Sequence, residues 1–237
     1  MRPKALDRAL DIVFPRACAG CGAGPWPFCP TCAAELVPLG PPWCDRCGRP
    51  SPMDVDRCRD CPPIPIASAR AAFAYRGPAR AAVHRLKFSG WRGVGEALAG
   101  ALAALGPPPA DAVTWVPLAA RRRAERGFDQ AHVLARALAR ELDLPAAAFV
   151  RRTKATAPQA RRTREERLQA MADAFACIPR KSAPARLILV DDVLTTGATA
   201  SACAVALLEA GAREIHLLTA CRSFIDRPPG PRGSRRP

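Results

Sequence analysis

Residues 186–222 have the sequence RLILVDDVLTTGATASACAVALLEAGAREIHLLTACR, and this segment decides the fold. It opens with a continuous apolar run, residues 186–193, which ends in carboxylates and is typical of a buried strand. The helical pattern of residues 201–211 follows, and Gly211 suits the C-terminal end of that helix. A second strand pattern covers residues 214–222, and strand–helix–strand at this spacing predicts an α/β domain with a mostly parallel sheet.

The same alternation extends upstream of this segment. Apolar or alternating runs predict strands at residues 69–77, 112–116 and 146–150, and apolar residues at helical spacing predict helices at residues 78–90, 94–105 and 128–143. The polar, arginine-rich stretches 118–127 and 151–167 are interpreted as connections, the second as a long mobile loop that runs into a helix. Ligands of such sheets bind beyond the carboxyl ends of the strands, so we expect the site there.

The residues that end the strand at 186–193 carry the most readable chemistry. The acidic pair Asp191 and Asp192 is followed by a short loop that opens the next helix, made of Thr195, Thr196, Gly197, Ala198 and Thr199. Threonine hydroxyls and the free N–H groups of a helix N-terminus suit a phosphate monoester, and glycine lets the backbone approach its oxygens. The acidic pair can accept hydrogen bonds from two vicinal ribose hydroxyls. The loop predicts a ribose 5-phosphate site; the alternative is an ordinary capping threonine with aspartates in a turn.

Eight of the eleven cysteines lie within residues 18–61 as four Cys-x-x-Cys turns: Cys18/Cys21, Cys29/Cys32, Cys44/Cys47 and Cys58/Cys61. Two such turns complete a tetrahedral thiolate shell around zinc. Pairing neighbouring turns gives two ribbons, residues 18–32 and 44–61, and the spacing leaves an interleaved pairing of the first turn with the third open. Four disulfides in a secreted domain are disfavoured, because this turn is repeated four times and no secretory signal is recognised.

The cysteine-rich segment has too few large apolar side chains to bury much core, so we expect two structural zinc ions to supply its folding free energy. Trp26, Phe28 and Trp43 are expected to pack around the zinc-binding turns, the alternative being that they stack on exposed nucleic-acid bases. The chain is divided into an N-terminal segment (1–15), a double zinc ribbon (16–61), a linker with helices (62–110), an α/β core (111–222) and a basic, disordered tail (223–237).

Composition limits the class of protein. Of the 237 residues, 49% are hydrophobic and 24% charged, which excludes wholesale disorder. No apolar stretch reaches the ~20 residues that cross a bilayer, and the basic start carries charges through its apolar run, so we expect a cytoplasmic protein. The formal net charge is +15, and two sites of four thiolates around Zn²⁺ would lower it to about +11. Residues 1–61 would then be mildly acidic, so the positive charge belongs to the middle and the tail of the chain.

Several motifs together indicate a family. VDDVLTTGAT, residues 190–199, resembles the diphosphoribosyl-binding signature of type I phosphoribosyltransferases. The zinc ribbons followed by LKFSG at 86–90, RRRAERGFDQ at 121–130, KATAPQARRTREER at 154–167 and that signature resemble the ComF family, competence-protein-F-like proteins tied to natural DNA uptake. The resemblance covers roughly residues 16–222. One departure is Asp129, where the family usually has asparagine, which adds a carboxylate near the proposed anion site.

The resemblance implies a type I phosphoribosyltransferase-like fold, a mostly parallel sheet flanked by helices, joined to a small N-terminal double zinc ribbon. Residues 62–110 would then form hood-like helices. In this fold the loop after the first core strand, here residues 117–127, receives the diphosphate, and Arg121 and Arg126 are among its cations.

The resemblance also implies a mobile loop, residues 153–167, which closes over the substrate and carries Lys154 and Arg161. Magnesium would accompany phosphoribosyl diphosphate, held more by substrate oxygens than by the protein. Asp191 and Asp192 are the best candidates for catalytic groups, although the sequence identifies no acceptor for the phosphoribosyl group.

The expected function is that of a cytoplasmic ComF-like protein that binds phosphoribosyl diphosphate and acts in DNA uptake and transformation, through phosphoribosyl transfer if it is an enzyme. Single-stranded DNA and the DNA-uptake machinery are the expected partners. Two alternatives stay open: an active phosphoribosyltransferase of nucleotide metabolism without a DNA role, and a non-catalytic protein that binds single-stranded DNA.

Overall fold

The computed structural model describes residues 17–59, 61–153 and 174–224. The predicted N-terminal segment, nearly all of the basic tail, and the part of the predicted mobile loop from residue 154 onward lie outside the described residues. Lys154 and Arg161 are therefore not placed. No helix within the described ranges is both long and apolar enough to cross a bilayer.

Four strands form a fully parallel sheet in the order β1-β6-β5-β2. Their bounds are β1 Ser68–Ala74, β2 Ala112–Trp115, β5 Arg186–Leu194 and β6 Glu214–Arg222. Two further strands, β3 Val150–Arg152 and β4 Phe175–Cys177, pair antiparallel as a separate ribbon. The sheet confirms the predicted parallel α/β architecture, in which β5 is one of the two inner strands and carries the acidic pair near its carboxyl end.

Helices cover both faces of the sheet. They are α1 Pro30–Glu35, α2 Gly77–Phe88, α3 Val94–Ala103, α4 Ala120–Arg126, α5 Gln130–Glu141 and α6 Ala198–Glu209. The apolar core on one face contains side chains of α2, α3 and α5. The core on the other face contains side chains of α6 and of the β3–β4 ribbon.

The arginine-rich stretch 118–127, interpreted from the sequence as a connection, contains a short helix that was not predicted. Alanine, arginine and glutamate all favour helix, and Arg121 pairs with Glu125 one turn later. Gly127 ends the helix in the left-handed conformation, with φ of 73°. The high arginine content concealed the helix, because it leaves no apolar stripe.

Alternation along β5 divides its side chains between the two cores. Leu187 and Leu189 belong to the α6 face, whereas Ile188 and Val190 belong to the face of α2, α3 and α5. The acidic pair continues this strand. Adjacent positions of a strand point to opposite faces, so the two carboxylates have different surroundings.

The cysteine-rich segment packs directly on the sheet. Residues 37–39, between the two cysteine groups, run along the outer edge of β1: the Leu39 N–H donates to the Ala72 carbonyl and the Ala74 N–H to the Val37 carbonyl, both at 2.9 Å. This contact protects an otherwise open sheet edge.

The proline-rich stretch 62–66 connects the cysteine-rich segment to β1. It was expected to be a linker, and it also contributes to the core, because Ile64 and Ile66 are only 4% and 5% exposed. Both isoleucines lie in the core on the α6 face.

Candidate functional site

The eight cysteines form two separate clusters. Within each cluster all four sulfur atoms lie within 4.8 Å of one another, and the clusters are Cys18, Cys21, Cys29, Cys32 and Cys44, Cys47, Cys58, Cys61. Neighbouring turns along the chain are therefore paired, and the interleaved alternative is not the arrangement observed.

The sulfur positions fit a tetrahedral zinc ion. The Sγ atoms of Cys21 and Cys29 are 3.8 Å apart, and those of Cys47 and Cys58 are 3.6 Å apart. A tetrahedron with Zn–S bonds of about 2.3 Å has sulfur–sulfur edges of about 3.8 Å. All four ligands of each cluster come from the protein, as in closed structural sites.

The opposed pKa shifts of the cysteines within each cluster also favour a bound cation. Burial raises the pKa of the Cys18 thiol, but backbone N–H groups of the surrounding turns lower it more, to about 6. Burial and the neighbouring cysteines raise the pKa of Cys32 to about 12. In the second cluster the pKa of Cys44 is lowered to about 7 and those of Cys58 and Cys61 are raised to about 12 and about 11. A divalent cation would resolve this conflict by stabilising all four thiolates.

The aromatic residues of the cysteine-rich segment serve packing. Phe28 packs against the first cluster and Trp26 against the core beside α2. The Arg70 guanidinium lies 4.4 Å from the centre of the Trp43 ring. These contacts favour the packing interpretation over base stacking for all three aromatic residues.

The loop of residues 195–199 has the backbone that the sequence predicted for an anion site. Gly197 is left-handed, with φ of 80°, and occupies the N-cap position of α6 without a capping side chain. The first N–H groups of a helix have no acceptor within it, and those of α6 follow this glycine. The side chains of Thr195 and Thr196 are exposed beside them. The loop can therefore offer hydroxyl and N–H donors to one ligand.

Gly197 is also required for a steric reason. A Cβ atom at this position would overlap the Cδ1 atom of Ile64. The sequence alone gave no sign of this contact, because Ile64 lies in the stretch interpreted as a linker.

Asp192 is the centre of a buried polar network. Its Oδ1 atom lies 2.7 Å from the Lys87 Nζ atom, with the two side chains 7% and 21% exposed. Its Oδ2 atom accepts a hydrogen bond of 2.9 Å from Gln130, whose own oxygen accepts one of 3.0 Å from Arg126. The three motifs LKFSG, RRRAERGFDQ and VDDVLTTGAT thus meet at one carboxylate.

Asp191 has different surroundings on the other side of β5. Its Oδ1 atom accepts a hydrogen bond of 2.8 Å from the Asp192 N–H. Burial and the Asp192 charge raise the pKa of Asp191 above its ordinary value, and Lys87 offsets this only in part. Its charge in turn contributes, after burial, to raising the pKa of Cys203 in α6. Asp191 is half-buried whereas Asp192 is only 5% exposed, so Asp191 is the more accessible of the two to a ligand.

A cleft of about 600 Å³ lies beside the Asp192 network. Its cationic lining residues are Lys87, Arg122 and Arg126, and the Arg126 guanidinium lies 4.7 Å from the centre of the Phe88 ring. Arg121 is not among the lining residues: its side chain is 84% exposed and pairs at 2.8 Å with Glu125, which does line the cleft. Of the four arginines of residues 117–127 predicted to supply positive charge to the diphosphate, Arg122 and Arg126 line this cleft.

Lys87 and Gln130 were missed by the sequence analysis. Both lie in motifs that carry the family resemblance, LKFSG and RRRAERGFDQ, but in these motifs only arginines were predicted to bind the ligand. The signal that could have found Lys87 is its position near the end of a predicted helix whose other charged residues are arginines and a histidine.

Asp129 has a structural role. One oxygen accepts from the N–H groups of Ala131 and His132 at 3.0 and 3.2 Å and caps α5. The other accepts at 2.9 Å from the N–H of Leu118, in the loop after β2. The carboxylate is thus engaged with backbone donors, and asparagine would offer only one oxygen to these three.

A second cleft of about 450 Å³ adjoins the first, and Phe128 lines both. Its cationic residues are Arg92, Arg123, Arg136 and Arg140. The Arg92 guanidinium lies 5.3 Å from the centre of the Phe128 ring. The two clefts together form an arginine-rich surface interrupted by aromatic rings.

Residues 9–62 match the family model of the double zinc ribbon domain. DNA utilization protein YhgH of Salmonella typhi is 31% identical, over 84% of this chain and 92% of that protein. The protein of the same name from Escherichia coli is also 31% identical, over 85% and 92%. Competence protein ComFC of Bacillus subtilis is 29% identical, over 82% and 84%.

Two solved structures match part of this chain. The glutamine phosphoribosylpyrophosphate amidotransferase of Bacillus subtilis matches 53% of this chain at 20% identity, with a TM-score of 0.40, and the match spans 26% of that longer enzyme. Adenine phosphoribosyltransferase of Thermoanaerobacter pseudethanolicus matches 57% of this chain and 83% of its own at 18% identity, with a TM-score of 0.38.

Proposed function

This chain belongs to the ComF family, and on that premise we propose that it binds phosphoribosyl diphosphate at the carboxyl edge of its sheet. One observation carries the proposal. The acidic pair near the end of β5 is followed by a glycine turn at the start of α6, where Gly197 offers no capping side chain, and a cationic cleft lies beside the pair. In a ligand with a phosphate, a vicinal diol and a diphosphate, the phosphate matches the turn, the diol matches the acidic pair and the diphosphate matches the cleft.

The 5-phosphate would bind at the 195–199 loop, where threonine hydroxyls and the first N–H groups of α6 can donate to its oxygens. The ribose hydroxyls would donate to the acidic pair, with Asp191 the more available acceptor. The diphosphate would lie in the 600 Å³ cleft among Lys87, Arg122 and Arg126. Binding would then require Lys87 to exchange the Asp192 carboxylate for a diphosphate oxygen.

The described residues fit magnesium only in company with the substrate. Magnesium binds through one or two carboxylates plus substrate phosphates, and Asp191 and Asp192 are the carboxylates at this edge. Bound there, the ion would neutralise the charge of the diphosphate.

Transfer of the phosphoribosyl group would build positive charge at C1 of the ribose. Asp191 and Asp192 are the acidic side chains best placed on β5 to stabilise it, and Asp191, whose pKa burial raises, would have to lose its proton first. The names of the relatives, a DNA utilization protein and a competence protein, support a setting in DNA uptake, and the proposal places the chain in the cytoplasm. The pyrophosphate-release experiment measures whether the chain transfers the phosphoribosyl group of its ligand.

Handling of single-stranded DNA is the second candidate function, favoured by the second cleft. Arg92, Arg123, Arg136 and Arg140 can neutralise backbone phosphates, and Phe128 offers a ring for base stacking. Because Phe128 also lines the first cleft, a strand bound here would reach the diphosphate region.

The experiment incubates the full chain with phosphoribosyl diphosphate, magnesium and a panel of bases, amines and oligonucleotides, and measures pyrophosphate release. Release that depends on one acceptor, and is lost in Asp191→Asn, supports a transferase. Binding without release from any acceptor would overturn transfer and leave a binding protein. Oligonucleotide binding, followed by fluorescence anisotropy, should weaken in Arg136→Gln if the second cleft holds DNA.

A further inference from the structure

The second zinc-binding turn, residues 44–48, is built onto the start of β1. Gly48 has φ of 66°, and a Cβ atom there would overlap the carbonyl oxygen of Ala69. The Ala69 N–H donates to the Arg46 carbonyl at 2.8 Å. The turn therefore lies in direct backbone contact with the sheet, without room for a side chain between them.

From this position the turn reaches the 195–199 loop through Ile64. The Arg46 guanidinium donates a hydrogen bond of 2.9 Å to the Ile64 carbonyl. The Cδ1 atom of the Ile64 side chain lies against Gly197, where it occupies the space of an added Cβ atom. A residue between two zinc ligands thus holds the residue that lies against the loop.

A second contact leads from the same turn to the strand before the loop. The Arg222 guanidinium donates to the Cys47 carbonyl, and Arg222 is buried. Arg222 is the register partner of Leu194, and the Ser223 N–H donates to the Leu194 carbonyl at 2.9 Å. Leu194 immediately precedes the loop, so the turn is connected both to its entry and to its glycine.

The first zinc-binding turn has other neighbours. The Arg85 guanidinium of α2 donates to the carbonyls of Ala19, at 3.0 Å, and of Gly20. A Cβ atom on Gly20 would lie 2.9 Å from Pro78, also in α2. The contacts of this turn are with the outer side of α2 and not with the loop.

We propose that the second zinc ribbon holds the 195–199 loop in its phosphate-binding conformation, with Arg46, Ile64 and Arg222 as positioning residues. The first ribbon does not share this role. The expected effect on ligand binding rests on the proposed function. The expected effect on the conformation of the loop in ligand-free protein does not. The zinc ion of the second ribbon would then stabilise the conformation of the 195–199 loop without binding the loop itself. Its ligands would be Cys44, Cys47, Cys58 and Cys61.

The test removes the Ile64 methyl group that lies against Gly197. Ile64→Val deletes Cδ1, and Ile66→Val makes the same change in the same segment and the same core. The Ser201 N–H donates to the Gly197 carbonyl at 2.8 Å, so its hydrogen exchange reports opening of the loop. In ligand-free protein, Ile64→Val should speed exchange of the Ser201 amide several-fold, and Ile66→Val should leave it near the wild-type rate.

Equal exchange rates in the two variants would overturn the inference, whatever ligand the protein binds. Calorimetry with phosphoribosyl diphosphate and magnesium then separates the two proposals. Weaker binding in Ile64→Val than in Ile66→Val supports both. Failure of the wild-type chain to bind would overturn the proposed function and leave the exchange result standing as evidence for the positioning role.

Discussion

The two zinc ribbons have the same donor set and different neighbours. The first, residues 18–32, lies against α2, and the second, residues 44–61, lies against β1 and reaches the 195–199 loop through Ile64 and Arg222. Four thiolates close a turn in the same way in both ribbons. Each ribbon stabilises a different part of the molecule, because the residues that surround its sulfur atoms differ from those of the other ribbon.

Loss of one ligand from each ribbon should give the largest difference between them. Cys29→Ser and Cys58→Ser should each lower the zinc content from two ions per chain to one, since each site uses four cysteines. Only Cys58→Ser should also weaken binding of phosphoribosyl diphosphate, by about tenfold, which is about 1.4 kcal/mol. Metal analysis and calorimetry on the same preparations measure both effects, and equal losses of affinity would contradict separate roles.

A second effect, on the free energy of unfolding, should show how α2, which contacts the first ribbon, takes part in the site. Lys87→Met leaves the buried Asp192 carboxylate without its cation and should lower the free energy of unfolding by about 3 kcal/mol. Arg121→Met breaks an exposed ion pair within α4 and should cost less than about 0.5 kcal/mol. Urea denaturation measures both. A cost at Lys87 no larger than that at Arg121 would show that the network is not a stabilising one.

The third effect concerns pH and Asp191, at the strand end that the second ribbon adjoins. The raised pKa of Asp191 means that the native state holds this proton more tightly than the unfolded chain does. The free energy of unfolding should therefore fall as the pH rises from about 4 through the native pKa of about 8. Asp191→Asn cannot titrate, so the free energy of unfolding of wild type minus that of the variant should fall as the pH rises across this window. A difference that is constant with pH would contradict the raised pKa.

Much of the fold could be predicted because its patterns are local. The apolar run ending at Asp191, the helical pattern after Gly197 and the spacing of the cysteine turns each lie within a short stretch of chain. The structure confirms the parallel sheet and the two four-cysteine clusters, and it selects the sequential pairing that spacing alone left open.

The missed features depend on residues that are distant in sequence. Lys87 reaches Asp192 across more than a hundred residues, and Ile64 reaches Gly197 across a longer interval. No periodicity reports such contacts. The helix at Ala120–Arg126 was missed for a different reason, because it has no buried residues and its pattern is therefore that of a polar connection.

The most direct test of the phosphoribosyl diphosphate site is calorimetric titration of two glycine variants. Gly197→Ala places a Cβ atom in a left-handed turn against Ile64, whereas Gly100→Ala adds one to α3, where no atom lies within 4 Å of it. With magnesium present, wild type and Gly100→Ala should bind with the same affinity, and Gly197→Ala should bind at least about tenfold more weakly, because the strain of about 1–2 kcal/mol adds to the steric overlap. Equal affinities in Gly197→Ala and Gly100→Ala would contradict the site at the carboxyl end of β5.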